Sequence, residues 1–345
     1  MARAERVTVR GGGIFGLACA WECARRGARV TLVEPRRVGA GSSGGTVGAL
    51  APHVPEQWNP KKQFQLESLL MAAEFWAGVA RLGGDPGYAR TGRIQPLADA
   101  EAVARAEARA AGARAHWGDA AVWRVAEAAE FGFAPEAPSG FVVHDTLTAR
   151  AAPRAACAAL ARALRAVGGE ILAEAPDAGA VIHATGWEGL RELSDALGRP
   201  VGNGVKGQSA LLRHAAPDAP QIYAESVHIV PHADGTVAIG STSERDFDAP
   251  GSTDAALEAL IARARALCPA LQAAPVIDRW AGVRPRARSR APMLGPWPGR
   301  PGHFIANGGF KIGFGMAPKV AQVMADLVLE GRDGIPEGFR VSDNL

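Results

Sequence analysis

The segment Val7-Thr8-Val9-Arg10-Gly11-Gly12-Gly13-Ile14-Phe15-Gly16-Leu17 runs from residues of β-type spacing into a glycine turn, and an Ala-rich apolar stretch follows. Gly11, Gly13 and Gly16 form G-x-G-x-x-G, and each has its own task. Gly11 permits the tight turn, Gly13 lets the backbone approach a pyrophosphate, and Gly16 lets the helix pack closely on the strand. Ile14 and Phe15 open that helix, whose free N–H groups and positive dipole end suit a phosphate. The next strand, Ala28-Arg29-Val30-Thr31-Leu32-Val33-Glu34, ends in an acid 18 residues beyond Gly16, placed for a ribose diol, with Pro35 after it. This context favours a dinucleotide site over a chance glycine turn ahead of a structural helix.

Composition narrows the alternatives. At 345 residues the chain is long enough for two lobes, each with its own core. A net charge of +3, from 38 basic and 35 acidic residues, is too near balance to argue for nucleic acid. Cys19, Cys23, Cys157 and Cys268 are too few and too scattered for a disulfide framework, and we read them as small core residues. No histidine pair has metal-ligand spacing, so no metal is expected. The first strand begins at about Arg6 and no apolar run approaches the roughly 20 residues of a membrane span. The expected location is the cytoplasm.

Farther along, residues 39–50 form a small-residue loop offering hydroxyls and bare backbone to something large and flat. A helix is expected over 61–82, ended by Gly83-Gly84, and another from Asp99 as N-cap to about Ala111. Strands are expected at 90–97, 140–144, 179–187, 208–213, 221–230 and 236–242, with helices over 151–167 and 253–267 and a final one entered through Lys311 to Pro318 and running to about Glu330. Phe304 to Phe310 reads as a strand running into a glycine turn at the head of the last helix. No repeat or long linker separates the lobes, so they must be interleaved.

The ordered set is G-x-G-x-x-G, Glu34, the small-residue loop, Ala184-Thr185-Gly186, Gly282-Val283-Arg284-Pro285, and the glycine loop at 306–315. Across essentially the whole chain it resembles the D-amino acid oxidase family of FAD-dependent oxidoreductases, in its glycine oxidase-like branch. That resemblance implies an α/β fold with a discontinuous Rossmann-type FAD-binding lobe (1–85, 145–205, 281–345). A second, mixed-sheet α+β substrate lobe would take 86–144 and 206–280, with the flavin at the junction. It implies non-covalent FAD, held at the pyrophosphate by Gly11, Gly13, Ile14, Phe15 and Gly16, and at the adenosine ribose by Glu34 and Pro35. Ser42, Ser43, Gly48, Ala49 and Leu50 would line the path to the ring, and Ala184, Thr185 and Gly186 would touch the cofactor. Gly309, Phe310, Lys311, Ile312 and Gly313 would present backbone N–H groups and a helix N-terminus to the flavin's pyrimidine edge.

By the same resemblance Arg284 grips a substrate carboxylate, with Arg286, Arg288 and Arg290 left to surface or phosphate contacts. Three departures stand out. His228 replaces a tyrosine of glycine oxidases, either donating to a carboxylate or sitting as an ordinary lobe histidine. Lys311 replaces a second arginine and keeps the charge without the fork. Only 11 residues separate Gly169 from Val181, so a more open adenine pocket is expected. Ala238 stands where the sarcosine-oxidase branch carries a lysine, and His53 reads as structural.

The expected catalytic set is therefore Arg284, His228 and Lys311. The expected reaction is oxidation of the C–N bond of a small amino acid or N-substituted glycine, by hydride transfer to flavin N5. The imino acid hydrolyses to a keto acid, and oxygen or another acceptor takes the electrons. The alternatives are an amine oxidase acting on a carboxymethylamino tRNA base, a D-amino acid dehydrogenase with a non-oxygen acceptor, and a non-catalytic FAD-binding protein. Nucleic acid and membrane partners are not favoured, and the oligomeric state is left open.

Overall fold

The structure, a computed structural model, describes residues 5–345. The first four residues of the expected FAD lobe lie outside them. β1 (Arg6–Arg10) is flanked in parallel by β2 (Arg29–Val33) and, much later in the chain, by β9 (Ala180–His183). With neighbours on both sides and helices on the sheet, β1 buries Val7, Thr8 and Val9 in succession, as a central parallel strand must. The buried Thr8 hydroxyl donates to Ala178 O at 3.1 Å and accepts from Ala178 N at 2.9 Å. Between β1 and β2 runs α1 (Ile14–Arg25), buried on almost every side. Its Cys19 and Cys23 are wholly buried core residues, and burial pushes the Cys23 thiol up to about 12.

The chain then forms β3 (Ala49–Leu50), α2 (Pro60–Gly83), β4 (Arg93–Pro96), α3 (Ala100–Trp117), β5 (Trp123–Glu127), β6 (Phe141–Asp145) and β7 (Ala149–Arg150). α3 runs well past the end expected at about Ala111. Gly112 does not stop it because a Cβ there would lie 2.1 Å from Pro55 O, so this glycine serves a close packing contact inside the helix. Ala113 and Trp117 continue the buried face, and Gly118, at φ +55°, ends it. α4 (Pro153–Ala166), β8 (Glu170–Leu172) and β9 return the chain to the first sheet, and α5 (Gly186–Ala196) follows.

The second lobe is completed by β10 (Gly202–Arg213), β11 (Gln221–Ala224), β12 (Val227–Pro231), β13 (Thr236–Gly240), α6 (Ala255–Leu267) and β14 (Val276–Ala287). β15 (Met293–Pro296), β16 (His303–Asn307) and α7 (Gly313–Glu330) close the first. The first sheet has the order β15-β16-β9-β1-β2-β8, and the second β14-β10-β13-β12-β11-β4-β6-β5. The chain runs alternately through the two sheets, and the expected borders at 205/206 and 280/281 fall within β10 and β14. These two strands pair with each other from Gly202↔Ala287 to Leu212↔Val276.

Strand alternation divides the second sheet into two faces. Ile94, Ile222, Ile229, Ile239 and Leu212 pack with Leu257, Leu260 and Ile261 of α6 into one apolar core. Their neighbours in sequence, including Arg93, Gln95, Tyr223 and His228, point the other way, toward the first lobe.

Candidate active site

In the first sheet the chain leaves β1 for β2 on one side and later returns on the other as β9, so the strand order switches between β1 and β9. A crevice beyond the carboxyl ends of these strands is where open α/β sheets bind ligands. Gly11 lies there with φ +108°, and a Cβ on it would come 2.3 Å from Ala184 O. Gly16 packs as its position in the motif demands, because a Cβ there would meet Gly11 O at 1.9 Å. Gly13 caps α1 without a side-chain partner. Only Ser43 Oγ, at 3.3 Å, lies near the space its side chain would take. Ser43 Oγ accepts from Ile14 N at 2.9 Å, tying the small-residue loop to the helix start.

From this turn a cavity of about 1060 Å³ runs between the lobes, just above the roughly 300–1,000 Å³ usual for small-ligand pockets. Gly11, Gly13, Ile14, Phe15, Glu34, Pro35, Ser42, Ser43, Ala49, Ala184, Thr185 and Gly186 line it. Gly16, Gly48 and Leu50 do not. A Cβ on Gly48 would sit 1.9 Å from Ala151 O, and Leu50 is wholly buried in the first lobe's core. The cause is the period of an extended chain: Val47, Ala49 and Ala51 face the cavity, while the residues between them face inward. Glu34 is already fixed, accepting from Gly12 N at 2.8 Å and Arg36 N at 3.0 Å. At the outer end, the short loop after β8 is held by Arg10, whose Nε donates to Asp177 Oδ1 at 2.7 Å. His183 and His303 share a 2.9 Å ring-nitrogen contact nearby, and His183 is pushed down to about 4 by burial.

The other end is walled by the second sheet and by the loop ahead of α7, whose Gly309, Phe310, Lys311, Ile312 and Gly313 all line it. Phe310 N donates to Pro285 O at 3.0 Å, which pins this loop beside Arg284. α7 begins without a side-chain cap, so its positive end faces the cavity at Gly313 and Phe314. Arg284 is buried. Its Nη1 donates to Ser241 Oγ at 2.6 Å, and its Nη2 to Thr242 O at 2.7 Å and Lys206 O at 3.3 Å. All three partners are neutral oxygens, so its charge is oriented without being cancelled. Burial pushes it down to about 10, which still leaves it charged at neutral pH. A Cβ on Gly207 would lie 2.4 Å from the guanidinium carbon, so a side chain there would displace the guanidinium.

Lys311 is exposed on the cavity wall and is pushed down by desolvation and then by Arg284. Arg284, Arg286 and Lys311 all lie within 5.8 Å of the Phe310 ring. The arginine run therefore divides: Arg284 and Arg286, two apart on β14, turn to this ring, while Arg288 and Arg290 are exposed. His228 also faces the cavity, with Nδ1 buried and unpartnered among the described residues. Burial, then Arg93 and Lys311, lower it to about 3, so it is neutral in this wall. His53 lines the cavity as well, its backbone N donating to Gln65 Oε1 at 2.8 Å.

Sequence reading missed Arg93, Gln95 and Tyr223 here. The expected strand at 221–230 is two strands, joined by Glu225 and Ser226 at φ +47° and +66°. Hairpins of this kind usually announce themselves with Asn-Gly or Asp-Gly, and this one does not. The turn places Tyr223 opposite His228, with ring centroids 4.6 Å apart.

A Rossmann-type crevice joined through one cavity to a cation-bearing wall on a mixed sheet defines a two-lobed dinucleotide-dependent oxidoreductase. The chain belongs to the DAO family of FAD-dependent oxidoreductases, whose model matches residues 6–327. It is 30% identical to a glycine oxidase of Pseudomonas aeruginosa over 96% of both chains. Its fold is shared by the crystal structure of a glycine oxidase from Geobacillus kaustophilus, with a TM-score of 0.82 and 22% identity over 99% of each chain. Iminodiacetate oxidase from Chelativorans sp. gives a TM-score of 0.83 at 20% identity, over 97% of this chain and 98% of the other. The protein is thus an FAD-dependent oxidoreductase acting on amine donors.

The residues fit FAD: the glycine turn leaves room for a pyrophosphate, α1 and α7 both aim their N-termini at the cavity, and none of the four cysteines lines it. No helix among the described residues is long and apolar enough to cross a membrane, and they contain no cluster suited to a metal ion.

Proposed function

We propose that the enzyme oxidises the Cα–N bond of a small amino acid or N-substituted glycine. The observation that carries this reading is Arg284, a buried guanidinium on the cavity wall whose protein partners are all neutral. Such a group is a ready anchor for a carboxylate, and holding that carboxylate fixes the substrate's α-carbon. FAD, when bound, accepts the two electrons released as C–N becomes C=N, before the imino acid hydrolyses to a keto acid and oxygen or another acceptor takes those electrons on.

The remaining wall suits an amine in its neutral form. Arg284 and Lys311 disfavour an ammonium beside them, and no acidic residue of the second lobe lines the cavity to stabilise one. Neutral His228 adds an imidazole that offers a hydrogen bond without taking a charge. The tRNA-base alternative rests only on the exposed Arg288 and Arg290, which lie outside the cavity lining.

The test is anaerobic mixing of the holoenzyme with glycine, sarcosine and D- and L-amino acids while the flavin absorbance is followed. Bleaching by at least one of them is expected. Arg284→Met is expected to retain its flavin and raise the apparent dissociation constant for the bleaching substrate about 10- to 100-fold, the scale of a lost charged hydrogen bond. Absence of bleaching across the whole panel overturns the reading.

A further inference from the structure

Arg93 is the cavity residue that the reaction above leaves unused. It stands on β4 beside Gln95, on the sheet face shared by Tyr223 and His228, and is only 6% exposed. Its Nε donates to Asp145 Oδ2 at 2.9 Å and its Nη2 reaches Pro52 O at 3.4 Å. Asp145 is itself fully buried and accepts from Thr148 N at 2.9 Å and Thr148 Oγ1 at 2.6 Å, so the guanidinium is held rigidly. Nη1 has no partner among the described residues, and the side chain lines the cavity. We propose, resting on the reading of the previous section, that Arg93 anchors a second anionic group of the substrate. The preferred substrates are then amino acids carrying another carboxylate, on the side chain or on nitrogen.

The charge around the cavity supports this. Every acidic residue that lines it (Glu34, Glu174, Asp177, Glu188, Glu192) belongs to the nucleotide lobe. The opposite end presents Arg284, Lys311 and Arg93, of which only Arg93 has a carboxylate partner. A substrate with one carboxylate satisfies Arg284 and leaves Lys311 and the open arm of Arg93 without an anion. A hydrocarbon side chain lying there removes water from these groups and returns nothing. A second carboxylate accepts from Arg93 and lies beside Gln95 and Tyr223, polar residues on the same face.

The experiment compares kcat/KM of the holoenzyme for D-aspartate, D-glutamate and iminodiacetate with that for D-alanine, glycine and sarcosine. At least a tenfold preference for the best dicarboxylate is expected. Arg93→Met should abolish that preference while leaving the neutral substrates within threefold and the flavin content unchanged. Because this substitution strands the Asp145 carboxylate, the double variant Arg93→Met/Asp145→Asn removes both charges and serves if the single variant does not accumulate. A readout without turnover is calorimetric titration of the wild-type holoenzyme with succinate and with butyrate, succinate binding at least tenfold tighter. Preference for neutral amino acids, or a parallel loss on every substrate in Arg93→Met, overturns the proposal. If no amino acid of either kind bleaches the flavin, the C–N reading fails, and the succinate titration still decides the role of Arg93.

Discussion

His228 shows how one residue takes its chemistry from its surroundings. In sequence it is a histidine where a tyrosine is expected; in the fold it is a neutral imidazole held in a cationic wall. Its value in the folded state, about 3, lies below the ordinary 6.5, so folding favours the neutral ring. The stability this ring contributes is full above about pH 6.5 and is lost as the pH falls toward 3, because the unfolded chain binds the proton first. By pH 5 the loss is on the order of 2 kcal/mol from this residue alone. His228→Asn should therefore flatten the fall in melting temperature between pH 7 and pH 5, and an unchanged slope would disprove the assignment. No activity limb near pH 6 is expected from His228 itself, since it does not titrate there.

At the scale of elements, the turn between β1 and α1 leaves no room for a side chain at its first glycine. Gly11 combines a left-handed φ of +108° with a backbone oxygen 2.3 Å from where a Cβ would stand. Both obstacles are backbone, so no side-chain rotation relieves them. Gly11→Ala should shift β1 from β9 and reduce bound FAD per chain to a small fraction of the wild-type value, measured by flavin released on denaturation. Full occupancy would show that the turn tolerates displacement. The motif was legible because strand, glycines and helix are contiguous. The hairpin at Glu225 was not, because its left-handed residues carry none of the usual turn chemistry.

At the scale of the molecule, the cavity lies between the two large sheets, and its walls come from both lobes. A ligand filling it contacts both and binds only the assembled state. FAD should therefore raise the melting temperature in a concentration-dependent way, by about 2.7 kcal/mol of stability at a free concentration 100 times its dissociation constant. Protein stripped of flavin and titrated back tests this in a thermal melt; a temperature indifferent to FAD would place the binding site elsewhere.

The contiguous signals, G-x-G-x-x-G with Glu34 and the apolar helices and strands, were settled by local order alone. Hydrophobic period and glycine spacing act over a few residues and survive without the rest of the chain. The second wall was a tertiary decision. Arg93, Tyr223 and His228 are brought together only because β4 pairs with β11 and β11 with β12, placing three distant side chains on one face. Likewise Gly48 and Leu50 turned away from the cavity because the phase of an extended strand is fixed by what it packs against, not by its composition.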